Sequence, residues 1–437
     1  LGEFVVTAPY VEGSVASAIS EQREARGVSE VLGAEQMSAS GDSDAADALA
    51  RVTGLTIEDG KYVVIRGQPA RYTKTLLNGS PLPSPDPIKR IVPLDLFPTG
   101  ILSQIRVEKS YDAARPGSFG AGLVDLETAR APEEDYLEIS LGTGINSEST
   151  GQEGLDHTAG GSDYLATDDG SRDVPAGVTD ADDLETAAKG FSNDWAAEEG
   201  TLGPDQSLGI NGGFATDLLG ADFGLRAGLD WSRSERRTET IERDYAVDGA
   251  GNLALRNDQL EQRNDVGIDL GLTLLAGLDW GDHAVRSNTF LLRKATRRTE
   301  VTEGTRKVSN DYYIRDTLLE WTERELLSQQ FVGEHDLDWL QVDWRAMLAE
   351  SRWDQPDRRD YRYRRNLALG DDAEMIFDQQ NGARRRFSES SDTITGFDLD
   401  LALPLLDGSR TTLDLRGGLS LYDQQRDSRV ERYRFEP

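Results

Sequence analysis

Beyond Pro132 the chain alternates apolar and polar positions in several separate stretches. Within each stretch nearly every second side chain is apolar, and the positions between are mostly polar or glycine. The clearest copies are 137–145, 223–231, 265–274, 340–348, 397–403 and 413–421. A period of two is that of a β-strand whose two faces meet different surroundings. Counting such stretches predicts about nine strands between residues 136 and 422.

The alternation is compatible with a soluble β-sandwich and with a membrane β-barrel. The stretches are about 9 to 12 residues long, near the length that a tilted strand needs to cross a bilayer and longer than the usual soluble strand. Their connections also alternate in length, as periplasmic turns and extracellular loops do in outer-membrane barrels. The short connections are 216–221, 277–282 and 405–409, and the long ones are 146–206, 232–264, 294–316 and 352–391. Both features predict a membrane barrel whose long connections lie outside the cell.

The chain before these strands has a different pattern, in which short runs of Val, Ile and Leu are separated by Gly, Pro and Asn. Such runs predict the short strands and turns of a small α+β unit. Asn78-Gly79 is the clearest turn, because both residues tolerate the positive φ of a two-residue hairpin. Apolar residues at helical spacing within 42–52 predict a helix capped by Asp42 or Ser43.

Five motifs in this region, taken in order, resemble the plug domain of TonB-dependent outer-membrane receptors. The resemblance covers about residues 1–130. It rests on Arg66-Gly67 after a Val-Val-Ile run, Asn78-Gly79, the Leu-Asp-Leu-Phe-Pro block at 94–98, Glu108-Lys109-Ser110, and the run from Gly117 to Gly122 that is followed by Leu123 to Thr128.

The resemblance implies an α+β plug inside an antiparallel up-and-down transmembrane β-barrel. Barrels that enclose a plug have about 22 strands, so about nine strands form only part of one. An open barrel would leave backbone groups facing hydrocarbon. The chain is therefore expected to be the N-terminal part of a longer protein, with an N-terminal segment at 1–39, the plug at 40–132 and barrel strands within 133–437.

The resemblance also implies roles for individual residues. An N-terminal TonB box would hand an extended strand to the energy-coupling protein TonB by strand addition, and an ordinary first strand of the plug is the alternative. The box residues are Glu3, Phe4, Val5, Val6, Thr7 and Ala8. The plug latch and turn residues are Arg66, Gly67, Asn78, Gly79, Gly120 and Gly122. Arg66 is the implied electrostatic latch, and alternation offers it lumen-facing carboxylates at Asp222, Asp230, Asp265 and Asp269.

A proline-rich segment, 81–87, follows the Asn78-Gly79 turn. Because proline fixes φ, the segment is predicted to be a rigid loop. One interpretation places it at the plug apex against the ligand, and the other makes it a stiff connection only. The predicted ligand contacts are Pro81, Pro83, Ser84 and Pro85.

Composition limits the partners. With 79 acidic and 47 basic residues, the net charge is -32, which argues against nucleic acid and against an anionic membrane surface. The chain has no cysteine, and its three histidines lack the spacing of metal ligands, so no metal and no cofactor are predicted. The sequence contains neither a G-x-S-x-G nor an H-E-x-x-H motif, so it does not predict an enzyme.

Charge is concentrated in the long connections. The first, 146–206, is strongly acidic, and since 168–173 does not follow the spacing of an EF-hand, a solvated acidic loop is favoured over a calcium site. Arginine and tyrosine cluster within 358–365 and 384–386. These residues either bind an anionic or sugar-like ligand or pair with the acidic loop, and pairing is slightly preferred.

The resemblance implies active import of a scarce nutrient, such as an iron–siderophore complex, cobalamin or an oligosaccharide, across the outer membrane of a Gram-negative bacterium. The expected partners are TonB with its inner-membrane energising complex, the outer-membrane lipid, and the nutrient. The alternative is a barrel without energy coupling, which would act as a porin, an adhesion protein or a structural protein of the surface.

Overall fold

The computed structural model describes residues 13–25, 27–111, 115, 117, 120–178, 184–247, 249–307, 311–370, 372–380, 382–408 and 411–435. Within these ranges the chain forms a small N-terminal domain, residues 13–128, and a sheet of long strands. Residues 3–8, predicted to form the TonB box, lie outside the described residues. Among the described residues, no helix combines the length and the apolar character needed to cross a membrane.

The N-terminal domain is an α+β unit. Its helices are α1 (Val15–Glu24), α2 (Ala34–Ser40) and α3 (Ala45–Ala50), and its strands are β1 (Ser29–Gly33), β2 (Leu55–Glu58), β3 (Tyr62–Ile65), β4 (Thr73–Leu77), β5 (Ser80–Pro81), β6 (Leu102–Glu108) and β7 (Gly122–Thr128). The main sheet has the order β1-β6-β7-β4-β5, and β2 and β3 form a separate hairpin. Its core is apolar and centres on Met37, Leu49, Ile65, Phe97 and Leu126, all of which are fully buried.

The predicted helix is present as α3, but its cap is Asp44 and not Asp42 or Ser43. The Asp44 carboxylate accepts a hydrogen bond from the backbone N–H of Asp47 at 3.0 Å, which satisfies one of the free donors at the helix start. Burial raises the pKa of Asp44 to about 6, although this hydrogen bond opposes the shift.

The remaining elements belong mostly to one large antiparallel sheet. They are β8 (Tyr136–Gly144), β9 (Glu153–Asp156), α4 (Leu184–Gly190), β10 (Glu198–Thr201), β11 (Asp205–Leu218), β12 (Ala221–Val247), β13 (Leu253–Trp280), β14 (His283–Lys307), β15 (Asp311–Asp336), β16 (Gln341–Asn366), β17 (Ile376–Phe377), β18 (Ala383–Gly408) and β19 (Thr411–Phe435). Nine strands, here called the wall, follow in the order β8-β11-β12-β13-β14-β15-β16-β18-β19, with the short β17 paired to β16. The prediction of about nine barrel-type strands is confirmed.

The predicted strand length is wrong for most of the wall. Strands β12 to β16, β18 and β19 are 25 to 28 residues long, and they include most of the residues that were assigned to the last three long connections. Beyond the apolar stretches the ladder continues with polar side chains on both faces, as at Asp265, which accepts from Arg298 at 2.7 Å. Alternation reports a difference between two environments, and it fades where both faces are polar although the backbone pairing persists.

The two faces of the wall have different neighbours. The inner face contacts the N-terminal domain, and the outer face carries an exposed apolar band between the short turns and the middle of the strands. Members of this band include Leu272, Leu274, Phe331, Leu348, Phe397, Leu401, Leu419 and Leu421, which are 37% to 57% exposed. A contiguous apolar band of this kind is the surface that a barrel presents to lipid.

The acidic connection between β8 and β11 lies on the outer face, above the apolar band. Trp231 donates its indole N–H to the carbonyl of Tyr164 at 2.7 Å, and Arg297 binds Asp156 at 2.8 Å. Ala166 covers Val266 and Ile268, which the alternation had placed on an outward apolar face. This connection therefore covers part of the outer face of the wall, on the side of the apolar band away from the short turns.

Candidate functional site

The interface between the N-terminal domain and the inner face of the wall is the candidate site. Contacts come from β12 at one side, where Arg226 donates to the carbonyl of Gly100 at 3.3 Å, to β19 at the other, where Arg426 donates to the carbonyl of Ser84 at 3.4 Å. Since these strands are spread across the sheet, the sheet must curve around the domain. The prediction that this domain sits inside the strands, and not beside them, is confirmed.

A charge cluster fixes the domain to the middle of the wall. The Asp95 carboxylate accepts two hydrogen bonds from the Arg324 guanidinium, at 2.8 and 2.6 Å. Lys294 lies 3.7 Å from the same carboxylate and 3.2 Å from Asp269. Burial alone would raise the pKa of Asp95, but Arg324 and Lys294 offset that effect and hold the pKa below its usual value. Asp95 is thus charged and bound in a fork geometry that a neutral partner would not match.

The sequence reasoning did not select Asp95, Arg324 or Lys294. The available signal was a single carboxylate inside the otherwise apolar block Leu94-Asp95-Leu96-Phe97, where a buried charge requires a partner. Lys294 was assigned to a connection, so its position on an inner strand face was not expected.

The Asn78-Gly79 turn is clamped between the N-terminal sheet and the wall. The Asn78 side chain accepts from the backbone N–H of Thr128 at 2.9 Å and donates to Gln330 on β15 at 2.9 Å. Both turn residues have positive φ, as the sequence predicts. A Cβ atom on Gly79 would lie 2.9 Å from the guanidinium of Arg345, so glycine also permits the close approach of the wall.

The proline-rich loop also touches the wall. The backbone N–H of Ser84 donates to Asp392 on β18 at 3.1 Å, and Arg426 on β19 lies 3.5 Å from the same carboxylate. Pro83, Ser84 and Pro85 are buried and Pro81 is half-buried. The loop is an anchor to the wall in this structure, and its predicted role in ligand contact stays a prediction.

Arg66 lies at the surface of the N-terminal domain. Its guanidinium donates to the carbonyl of Lys109 at 2.9 Å, within the same domain. The pairing expected from alternation is wrong, because among the described residues none of the four candidate carboxylates is hydrogen bonded or ion-paired to it. Asp269 binds Lys294 instead, and Asp265 binds Arg298. The latch role of Arg66 itself stays a prediction.

The glycines of the region serve backbone geometry. Gly67 has a φ of +73° with open space around it, so its role is conformational. Gly122 is different, since a Cβ there would lie 2.5 Å from the Ile65 side chain, and Gly120 packs against the backbone of Tyr72. Close packing therefore favours glycine at position 120 and at position 122, the first residue of β7.

Helix α1 is tied to the main sheet of the domain by a mixed cluster. Glu21 of the helix accepts from Arg106 at 2.7 Å and from Gln104 at 2.9 Å. Glu127 completes the group and lies 3.0 Å from Arg106. Burial raises the pKa of Glu127 to about 7, with the nearby Asp125 adding to the effect and Arg106 opposing it. Helix α1, the first described helix after the predicted TonB box, is therefore coupled electrostatically to β6 and β7.

The preferred interpretation of the arginine and tyrosine cluster is confirmed for three of its members, Arg359, Tyr361 and Arg385, which lie on the outer face. Arg359 lies 3.8 Å from Asp194, and the Tyr361 hydroxyl donates to the carbonyl of Trp195 at 2.6 Å. Arg385 donates to the carbonyl of Ser192 and stacks over Trp195 at 4.9 Å. These side chains bind the acidic connection. Among the described residues, Arg358, Arg384 and Arg386 on the inner face have no hydrogen bond or ion pair with this connection.

The described residues hold no group of three or more His, Asp or Glu side chains arranged for a metal ion. His157 is buried against the wall, where its Nδ1 lies 2.8 Å from the Thr299 hydroxyl. Burial and the neighbouring Arg297 lower the pKa of His157 to about 3.

Comparison with known proteins assigns the N-terminal domain. Residues 21–124 match the family profile described as "TonB-dependent Receptor Plug Domain". A comparison with curated proteins found no match.

Similar solved structures include the ferric citrate transporter FecA in the unliganded form, with 11% identity and a TM-score of 0.34. The ferric yersiniabactin uptake receptor FyuA from Yersinia pestis has 10% identity and a TM-score of 0.38, and the copper transporter OprC has 12% and 0.31. They cover 94%, 92% and 93% of this chain, and this chain covers 61%, 61% and 62% of theirs. The chain thus spans about three fifths of their length.

Proposed function

We propose that this protein imports a scarce nutrient across the outer membrane of a Gram-negative bacterium with energy supplied through TonB, because residues 21–124 match the profile of the TonB-dependent receptor plug domain. The observation that carries the proposal is the placement of the plug against the inner face of the wall, where Asp95 and Arg324 hold it. A plug docked in this way has to rearrange before any solute passes along the inner face of the wall.

The plug offers a route for that rearrangement. Residues 3–8 are proposed to form the strand that TonB captures by β-strand addition. Force on this segment acts next on α1, whose Glu21 is bound to Arg106 of β6. Strand β6 is the neighbour of β1, the edge strand of the plug sheet. Pulling therefore loads one edge of the plug sheet first, while the Asp95 cluster holds the plug to the wall.

The test is uptake of the nutrient by cells that produce the full-length protein with a single change in the proposed box. Val5→Pro removes a backbone N–H from the strand that TonB would pair with, whereas the matched control Val5→Ile keeps it. We expect V5P to abolish uptake and to leave surface binding of the nutrient intact, and V5I to behave as the wild type. Wild-type uptake in V5P cells would refute energised import through this segment.

A passive barrel, acting as a porin, an adhesion protein or a structural protein, is the alternative function. The plug contacts reach from β12 to β19, which argues against an open pore. Uptake that persists after the inner-membrane proton gradient is dissipated would favour the passive function.

A further inference from the structure

The inner face of the wall carries a row of three arginines on adjacent strands. Arg358 on β16 stands directly opposite Arg386 on β18, and Arg386 stands directly opposite Arg432 on β19. Like charges directly opposite each other destabilise a sheet. Folding by itself therefore gives no reason for this row.

A second row lies beside the first, one step further from the short turns. It joins Asp360, Arg384 and Arg434 across the same three strands. Arg362 extends the basic surface toward β15, where it binds Asp316. The two rows and Arg362 line a cavity of about 570 Å³, and the inner face contributes six arginines and three carboxylates to its lining. A cavity this basic stands out in a chain with a net charge of -32.

The positive charge of the cavity is only partly compensated. Arg358 lies 3.1 Å from Glu320, and Arg384 lies 2.6 Å from Asp360. Arg386 donates to the neutral amide oxygen of Gln355, at 3.1 and 2.6 Å. Arg432 has no hydrogen bond or ion pair with any described residue. Two guanidinium groups on neighbouring strands thus lack a carboxylate partner among the described residues.

The cavity is positioned above the anchor of the plug. Asp392 and Arg426, which hold the loop residue Ser84, are six positions from Arg386 and Arg432 on the same two strands. An even separation keeps all four side chains on the inner face, about 20 Å apart along the strands at 3.3 Å per residue. A ligand in the cavity would lie over the plug, on the side away from the short turns.

From this geometry we infer that the cavity binds an anionic ligand carrying several carboxylate or phosphate groups, with Arg386 and Arg432 as its principal contacts. The planar guanidinium fork matches such groups bidentately, and the paired arginines of the rows supply additional positive potential. The inference rests on the proposed import function in one respect only, which is that the ligand of this cavity is the imported nutrient. The charged groups are the part of the ligand that the wall recognises.

The test measures binding to the purified full-length protein in neutral detergent by titration calorimetry, which needs no energy coupling. The probes are inorganic pyrophosphate and tricarballylate, with the neutral sugar raffinose as a control. Arg386→Gln and Arg432→Gln are each expected to weaken anion binding about tenfold or more, since a hydrogen bond to a charged group is worth about one decade of affinity or more. Arg386→Lys keeps the charge and should lose less.

The matched control is Arg429→Gln, on the same strand as Arg432 but on the outer face, where Arg429 pairs with Glu431. It removes the same charge and should leave binding unchanged. Raising the salt concentration should weaken anion binding to the wild type. If neither anion binds, if raffinose binds as well as they do, or if R429Q is as harmful as R432Q, the inference is wrong.

Import assays separate this inference from the proposed function. Uptake that is lost in V5P but unaffected by R386Q and R432Q would overturn the anionic ligand and retain energised import. Anion binding that depends on Arg386 and Arg432, in cells where V5P has no effect on uptake, would retain the site and overturn energised import.

Discussion

Removal of the Asp95 carboxylate tests whether the charge cluster holds the plug. Asp95→Ala leaves Lys294 with Asp269, but it leaves Arg324 without a described partner. The side chains of Asp95 and Arg324 are only 11% and 12% exposed. The unpaired guanidinium of Arg324 therefore stays largely buried while the plug is docked. Breaking a buried ion pair by removing one partner costs about 3 to 5 kcal/mol.

The cost falls on the docked state of the plug, because Arg324 can regain water when the plug moves away. Taking the lower value of about 3 kcal/mol, the population of displaced plugs should rise by roughly two orders of magnitude. Hydrogen exchange at the backbone amides of residues 94–97, measured by mass spectrometry on the full-length protein, should accelerate accordingly. Conductance of planar bilayers that contain the variant should also increase.

A double change provides the control. With Arg324→Ala added to Asp95→Ala, no isolated charge remains, and exchange should return part of the way toward the wild type. The exposed pair between Lys89 and Glu58 on the plug surface gives a second comparison, since its loss should change exchange little. Wild-type exchange and conductance in D95A would show that the plug is held by its apolar contacts alone.

Three other predictions concern stability. Gly79→Ala should lower the melting temperature of the purified protein more than Gly60→Ala, because both glycines have positive φ but only the first would bring a Cβ within 2.9 Å of Arg345. Equal losses would show that the approach of the wall is unimportant. Glu127, with its pKa raised to about 7, holds a proton in the folded state that an unfolded glutamate releases near 4.5. The free energy of unfolding should therefore fall as the pH rises from about 4.5 to about 7. An infrared carboxylic-acid band that is present in the wild type and absent from Glu127→Gln should titrate near pH 7. For His157, with its pKa lowered to about 3, stability should fall as the pH drops from about 6.5 toward 3, and imidazole NMR shifts that titrate near pH 6.5 would contradict its burial.

Local patterns in the sequence were sufficient for much of the fold. Alternation located the stretches that carry the exposed apolar band, and it gave about the right number of strands because each of these stretches has one apolar and one polar face. The turn at Asn78-Gly79 followed from residue types that tolerate positive φ. These features depend on neighbours in sequence, so sequence reasoning reaches them.

The strand ends were missed for a physical reason. Beyond the apolar band, residues such as Arg297 and Asp265 face protein, connection or water on either side, so no contrast between faces marks the strand. Backbone pairing with neighbours maintains it instead. The cap at Asp44 was missed by one or two residues because Asp42, Ser43 and Asp44 are all suitable cap residues.

The sequence by itself determined a plug-type domain followed by strands with one apolar face, together with an excess of acid over base. Only the tertiary structure decided which charges meet. Asp95 and Arg324 are separated by more than 200 residues, and Arg358, Arg386 and Arg432 become a row only through the register of β16, β18 and β19. Register is a property of strand pairing and no local pattern encodes it, so the clamp on the plug and the basic cavity above it emerge only when the wall is assembled.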